Sequence, residues 1–357
     1  MNSTVGTYHV VRLNAKLSPV RDFEAELWKT YGIQVVQAEA NTPETILQHV
    51  ADCDALFAVS VSLPAEVIEN LNQCRVISRL GAGTDKIDVD AATRRGILVT
   101  NVPDFCVEEQ ADHTLALLLA LERKLPQMAR ATAAGAWDES RRMSRSNQRL
   151  SQRTLGLIGF GKSAKAVARR AIGFGMRVIA TRRDLSASRA EADALGVEMV
   201  SLDTVLAKSD HVSLHLPLTD ETHHLLDAVK LSKMKPDAYF INTSRGAIVD
   251  EMALVECLRQ GKIAGAGLDT FEHINPFTEV ETPPDHPFLT MENVILTPHV
   301  AAYSEQAFQD VNQGAIKNVV SVLQGRWPPS ENIVNYGVVP RFPLDNSNDS
   351  LFSESKP

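Results

Sequence analysis

The chain has few cysteines, no excess of positive charge and no long apolar run. Its four cysteines (Cys53, Cys74, Cys106 and Cys257) show no CxxC spacing and no adjacent ligand set, so they exclude a disulfide framework and a thiolate-ligated zinc site. The histidines do not revive a metal reading: His211 and His215 alternate along one strand face, and the neighbours His223 and His224 diverge if that stretch is helical. No metal is therefore expected. The longest apolar stretch, LALLLAL at 115–121, falls far short of the roughly 20 residues that cross a bilayer. The opening MNSTVGTYHVVRLNAKL lacks an apolar h-region and a small-residue cleavage site, which points to the cytoplasm and away from membranes. A net charge of −8 argues against binding nucleic acid, since phosphate neutralisation needs a basic surface.

What is present is an ordinary globular composition, 44% hydrophobic and 22% charged, over 357 residues, a length that favours two domains over one core. Short β-rich runs (YHVVRL, IQVVQAE, ALFAVS, RVISRL, ILVTNV) alternate with amphipathic stretches such as PVRDFEAELWKTYG up to about Asp104. Strand, helix, strand repeated in this way predicts a parallel sheet covered on both faces. A long helix is expected near VEEQADHTLALLLALERKL, followed by a less regular stretch whose arginines (Arg141, Arg142, Arg145, Arg149, Arg153) fit a solvated face or a subunit-contact arm. From Thr154 a second alternating unit begins, with strands in TLGLIGFG, MRVIAT, DHVSLHLP, AYFINTS, AGAGLDTF and NVILTPH. One more long helix follows His299, and the polar stretch from about Asp345 is expected to be mobile. The cleft between two α/β units is where function is expected.

The most informative stretch is GLIGFGKSAKAVARRAIGFGMRVIATRRD. An apolar strand runs into Gly159, Gly161 and Ala164 and then into a helix, which is GxGxxA in the context that dinucleotide binding requires. Gly159 permits the tight turn, Gly161 lets backbone approach a pyrophosphate, and Ala164 keeps helix and strand close. With Lys162 and Ser163 they open the helix N-terminus toward the phosphates. At the end of the next strand, where an acidic residue usually holds the ribose of NAD, the chain has Arg182 and Arg183. Two guanidinium groups suit a 2′-phosphate, so NADP(H) is expected ahead of NAD(H), the alternatives being that the arginines only stack on adenine or that Asp184 reaches back to the ribose.

Three later strands each end in one chemically active group: Arg245, Asp269 and His299. The carboxyl ends of parallel strands line the ligand crevice of such sheets, and this set fits hydride transfer to a 2-oxo acid. Arg245 binds the carboxylate and polarises the carbonyl, His299 donates the proton, and Asp269 holds the nicotinamide end.

LGAGTDKIDVDAATRRGILVTNVPDFCVEEQADHTLALLLALERK, GLIGFGKSAKAVA, LHLPLTDETHHLL, INTSRGAIVDE, AGLDTF and LTPHVAAYSEQA together resemble the D-isomer-specific 2-hydroxyacid dehydrogenases. The likeness is strongest to the subgroup with phosphoglycerate dehydrogenases and C-terminal binding proteins. It implies two Rossmann-like, doubly wound α/β domains: a flavodoxin-like substrate domain from 1–104 and 301–335, and a dinucleotide-binding domain from 105–300. Residues 336–357 then form a C-terminal tail, and a homodimer forms through the dinucleotide-binding domain. The resemblance further implies that the backbone of Ala82 and Gly83 holds the substrate carboxylate, and that Leu216, Pro217, Thr243 and Asp269 contact the cofactor. A binding protein that senses the cofactor, or a dehydrogenase of formate or phosphite, is the alternative on the same fold. One departure stands out: the family places a glutamate five residues after the strand-ending aspartate, whereas LDTFEHINPF has Ile274 there and Asn275 before the proline. Glu272, Asn275 or neither is left to partner His299, and a neutral Asn275 would not raise the imidazole pKa by charge.

Overall fold

The computed structural model describes residues 8–277 and 282–345, so the polar stretch beyond Asp345 lies outside the described residues. The chain divides into two compact units, one running to Phe105 and resuming at Ser304, the other spanning Cys106–Tyr303.

In the first unit, five apolar runs pair as parallel strands: Tyr8–Leu13 (β1), Ile33–Ala38 (β2), Ala55–Ala58 (β3), Val76–Arg79 (β4) and Leu98–Thr100 (β5). Their order, β2-β1-β3-β4-β5, is the flavodoxin-type winding. Both sheet faces are covered, so β3 is buried at every position and carries no alternation. One face receives the helix Glu305–Leu323, whose Ala315, Ile316, Val319 and Val320 pack with Val10, Phe57 and Val76. Inside that layer the Asn318 amide donates to the Asn101 carbonyl (3.0 Å) and accepts from Asn332 (2.9 Å), which satisfies polar groups that burial would otherwise leave unpaired. The start of the stretch expected as a tail is docked here: Val338 is buried, and the Arg341 guanidinium donates to the carbonyls of Arg95, Leu71 and Asn72. One apolar anchor and three bonds to helix-end and loop carbonyls hold it, partnerships that composition alone does not reveal.

The second unit holds Thr154–Ile158 (β6), Arg177–Thr181 (β7), Glu198–Met199 (β8), His211–Leu214 (β9), Tyr239–Asn242 (β10), Gly265–Leu268 (β11) and Val294–Leu296 (β12). All pair in parallel in the order β12-β11-β10-β9-β6-β7-β8, with the winding reversing between β6 and β9. The two-residue β8 is too short for a periodic signal and has no counterpart in the sequence reading. The helix Val107–Glu122 packs Ala111, Leu115 and Leu118 against Leu155, Leu157 and Ile241, and Gly267 lets it approach β11, since a Cβ there would lie 3.0 Å from that of Leu117. The stretch expected to be irregular forms two short helices, Leu125–Ala133 and Trp137–Ser144. Arg153, grouped in the sequence with solvent-facing arginines, is buried and bonded to Asp237 (2.8 Å), with Asp210 at 3.3 Å, since a buried guanidinium needs such pairing. Among the described residues, no helix is long and apolar enough to cross a membrane.

Candidate active site

Construction of the site starts at the reversal of winding, where β6 passes into a glycine loop. Gly159 has φ +100°, and a Cβ on it would meet the His215 carbonyl oxygen at 2.2 Å, so no other residue fits. Around Gly161 the situation is opposite: nothing lies within 4 Å of where its Cβ would be. The helix Lys162–Gly173 starts there without a side-chain cap, and the amides of Ser163 and Ala164 have no acceptor among the described residues. Ala164 is fully buried against the sheet. An open approach, unsatisfied amides and a positive dipole end together fit a pyrophosphate.

His215, which follows β9, lies beneath this loop. Its Nδ1 is 3.3 Å from the Ser163 hydroxyl and its Nε2 is 2.9 Å from that of Ser213. Burial lowers its pKa to about 4, so the ring is neutral at pH 7 and braces the loop without charge. Sequence reasoning saw only alternation with His211, whose Nε2 in fact lies 3.1 Å from a buried oxygen of Glu122.

The two arginines after β7 have different roles. The Arg182 guanidinium donates to the carbonyls of Asp184 (2.9 Å), Ala187 and Ser188 (2.8 Å), bracing its own loop. Arg183 is exposed. Asp184, the candidate for the ribose, has its Oδ1 engaged by the amide (2.9 Å) and hydroxyl (2.6 Å) of Ser186, hydrogen bonds that hold its pKa below the usual value.

Strands β10, β11 and β12 lie side by side, so Arg245, Asp269 and His299 follow strand ends on the same sheet edge, the outer two strands being about 10 Å apart at two strand spacings. The edges are tied by backbone bonds from Asp269 N to Asn242 O and from Thr297 N to Leu268 O, each 2.9 Å. Arg245 follows β10 by three residues, its backbone carbonyl held by the Asn242 amide and its Nη1 donating to Ser244 O. Thr243, between them, is buried against Thr114 (3.1 Å), and Gln110 donates to its carbonyl (2.7 Å). Leu216 and Pro217 continue from β9, with Leu216 Cδ2 about the Gly159 turn, 3.1 Å from where a Cβ would be.

Asp269, the residue expected to hold the nicotinamide end, is engaged by the backbone of the His299 loop. It is 1% exposed and accepts from the Thr297 hydroxyl (2.6 Å) and the amides of Val300 (3.0 Å) and Ala301 (2.9 Å). These bonds bracket His299, which sits at φ +59°, a left-handed conformation that a non-glycine residue adopts only where its surroundings impose it. The carboxylate thus shapes the loop that presents the imidazole. Thr297, unnoticed in the sequence, also meets His113 Nε2 at 2.9 Å, and a hydroxyl between a strand end and the histidine was its available signal.

Of the two candidates for a partner of His299, Glu272 is turned elsewhere: both of its oxygens lie 2.9 Å from His224 Nε2. Asn275 Oδ1 accepts from the Phe277 amide (3.1 Å), and the Phe277 ring lies 5.2 Å from the His299 ring, tilted by 46°.

In the first unit, Ala82 and Gly83 follow β4 in a loop whose carbonyls are taken up, Ala82 by the Asn101 amide (2.6 Å) and Gly83 by Arg79 Nε (3.2 Å). Arg79 also reaches the carbonyls of Ala58 (3.2 Å) and Leu80. The amides of Ala82 and Gly83 have no acceptor among the described residues, which suits an anion.

A reversed parallel sheet with this glycine loop defines a dinucleotide-binding α/β protein, and a cation and an imidazole following strand ends on one sheet edge, two strands apart, suit an oxidoreductase. Residues 115–301 match the family described as D-isomer specific 2-hydroxyacid dehydrogenase, NAD binding domain. A glyoxylate reductase of Korarchaeum cryptofilum is 39% identical over 323 residues, 89% of this chain and 91% of that protein. Among solved structures, an acyclic imino acid reductase in complex with NADPH and D-Arg superposes with a TM-score of 0.79 at 27% identity, covering 92% of this chain and 100% of that one. D-lactate dehydrogenase with NAD+ from Lactobacillus jensenii has a TM-score of 0.72 at 27% identity, covering 92% and 99%. The chain belongs to the D-isomer specific 2-hydroxyacid dehydrogenase family.

Proposed function

We propose that the protein reduces a short 2-oxo acid to its D-2-hydroxy acid, with NADPH preferred over NADH. The observation that carries this reading is the pairing of Arg245 and His299 on strand ends of one sheet edge, with Asp269 locking the histidine loop. Gly159, Gly161, Lys162, Ser163 and Ala164 hold the pyrophosphate, and Leu216, Pro217 and Thr243 border the rest of the cofactor. When bound, the dihydronicotinamide supplies the hydride. Arg245 binds the substrate carboxylate and stabilises the charge that grows on the carbonyl oxygen; on the first unit, the amides of Ala82 and Gly83 are read as donors to a carboxylate. His299 delivers the proton to that oxygen and recovers one from solvent. Arg183, exposed and unencumbered by the bonds that tie Arg182, supports the preference for a 2′-phosphate.

The glyoxylate reductase likeness favours a small substrate. Oxidation of NADPH and of NADH with glyoxylate, hydroxypyruvate, pyruvate and bulkier 2-oxo acids tests both parts. Turnover of a small oxo acid with higher kcat/KM for NADPH supports the reading; equal or better use of NADH removes the cofactor preference. Tight cofactor binding with silence across the panel overturns the reductase in favour of a cofactor-sensing binding protein. The protein is further read as cytoplasmic and homodimeric, the latter supported by Leu125 and Trp137, 49% and 60% exposed on two short helices.

A further inference from the structure

Beside the strand-end groups along the chain, the second unit gathers three imidazoles around one carboxylate. His224 Nε2 lies 2.9 Å from both oxygens of Glu272, His223 Nε2 lies 3.8 Å from Oε1, and His273 Nε2 lies 3.8 Å from Oε2. The donor atoms of His223, His224 and Glu272 all fall within 4.8 Å of one another. On a helix, adjacent histidines point about 100° apart. Here the chain leaves helical geometry at His224, where φ is +47°, and the two rings stack with centroids 4.1 Å apart and planes 27° from parallel. The sequence-based exclusion of these residues as ligands rested on a helix that the chain does not form.

The cluster is built on fixed backbone. The His224 amide donates to Ala247 O (2.8 Å), and the buried carboxylate of Glu251, itself 2.9 Å from His286 Nε2, accepts from the amides of Glu272 (2.8 Å) and His273 (3.3 Å). Gly246 presses so closely that a Cβ there would sit 2.4 Å from the Glu272 nitrogen. Two loops from different parts of the chain are thus held with their donors facing, so little conformational freedom remains to be lost on ligation.

We propose that His223, His224 and Glu272 form a site for a borderline divalent transition metal, Zn²⁺ or Co²⁺, which clamps the 217–224 loop to the 269–273 loop. Two imidazoles and a carboxylate match such ions in softness, whereas Mg²⁺ and Ca²⁺ prefer all-oxygen shells. Metal–donor bonds of about 2.0–2.1 Å in a tetrahedron place donors roughly 3.3 Å apart, so the 2.9 and 3.8 Å separations need only small shifts. The ion takes the place of the direct contact between His224 and Glu272, and His273 or a water completes the shell. Its role is structural, and it does not depend on the reaction assigned to the strand edge.

The test uses the tag-free full chain, stripped with a chelator and titrated with Zn²⁺ by calorimetry and with Co²⁺ by visible absorption. One Zn²⁺ per chain, Co²⁺ bands of a low-coordinate site and a rise in Tm on Zn²⁺ addition are expected, with no response to Mg²⁺. Glu272→Gln and His223→Ala should each weaken Zn²⁺ binding by at least about tenfold, the lower end of what even outer-shell changes cause, while His49→Ala on the first unit leaves it unchanged. Both ligand variants alter partly exposed side chains, and circular dichroism verifies that they fold. Absence of saturable binding by the parent chain, or binding unchanged in both folded variants, overturns the proposal.

Discussion

Replacing Asp269 by asparagine tests how the His299 loop is held. In the parent chain Oδ1 accepts from Thr297 and Val300 and Oδ2 from Ala301. In Asp269→Asn the amide oxygen retains the first two, now without charge, and the NH2 group faces the Ala301 N–H donor to donor. One charge-assisted bond is lost and a buried donor is left unpaired, which together cost about 2–3 kcal/mol. In a unit of this size that corresponds to a fall in Tm of roughly 5–10 °C. His299 lies between the bonded positions and adopts φ +59° only because they are pinned, so its imidazole loses its set position. We expect kcat for 2-oxo acid reduction to fall by about 10–100-fold, equivalent to roughly 1.4–2.7 kcal/mol of barrier, while the Kd for NADPH changes by less than about threefold. Thermal melts, steady-state kinetics and a fluorescence titration of the cofactor measure the three quantities. Unchanged Tm and kcat with a weakened Kd would refute the clamp and return Asp269 to direct contact with the nicotinamide.

Other perturbations separate the roles of neighbouring residues. Gly159→Ala forces a Cβ to 2.2 Å from a carbonyl oxygen at positive φ and should destabilise by about 3 kcal/mol in urea denaturation, whereas Gly161→Ala enters open space and should melt like the parent yet bind NADPH at least about tenfold more weakly. Arg183→Ala should lower kcat/KM with NADPH by roughly 10–100-fold, the worth of a charged hydrogen bond, and leave NADH within about threefold; equal losses with both cofactors would remove the 2′-phosphate contact. His215 makes stability pH-dependent, because its folded pKa of about 4 lies below the ordinary 6.5. Its neutral form favours folding fully above about pH 6.5, and that contribution drains away as pH falls toward 4, by at most about 3 kcal/mol. His215→Gln should flatten the fall in unfolding free energy between neutral and acidic pH, and an unaltered profile would show that other groups cause it.

Sequence alone determined whatever depends on short-range pattern. Both doubly wound units follow from apolar runs at strand length separated by amphipathic stretches, because parallel strands buried on two faces must read as continuous apolar segments. The glycine loop was legible since each glycine answers a local demand, a positive φ at Gly159 and an open approach at Gly161. That Arg245, Asp269 and His299 share one edge also followed, because parallel strands put all their carboxyl ends on one side. Tertiary structure decided which partner each polar group meets. Glu272 finds His224, 48 residues away, and Arg182 folds back on its own loop while its neighbour Arg183 stays exposed. Asp269 serves the backbone of a loop about thirty residues downstream, and His223 and His224 converge because one residue turns left-handed. A hydrogen bond selects its partner by approach within about 3 Å, and that approach is set by strand register and loop path, which no single stretch of residues encodes.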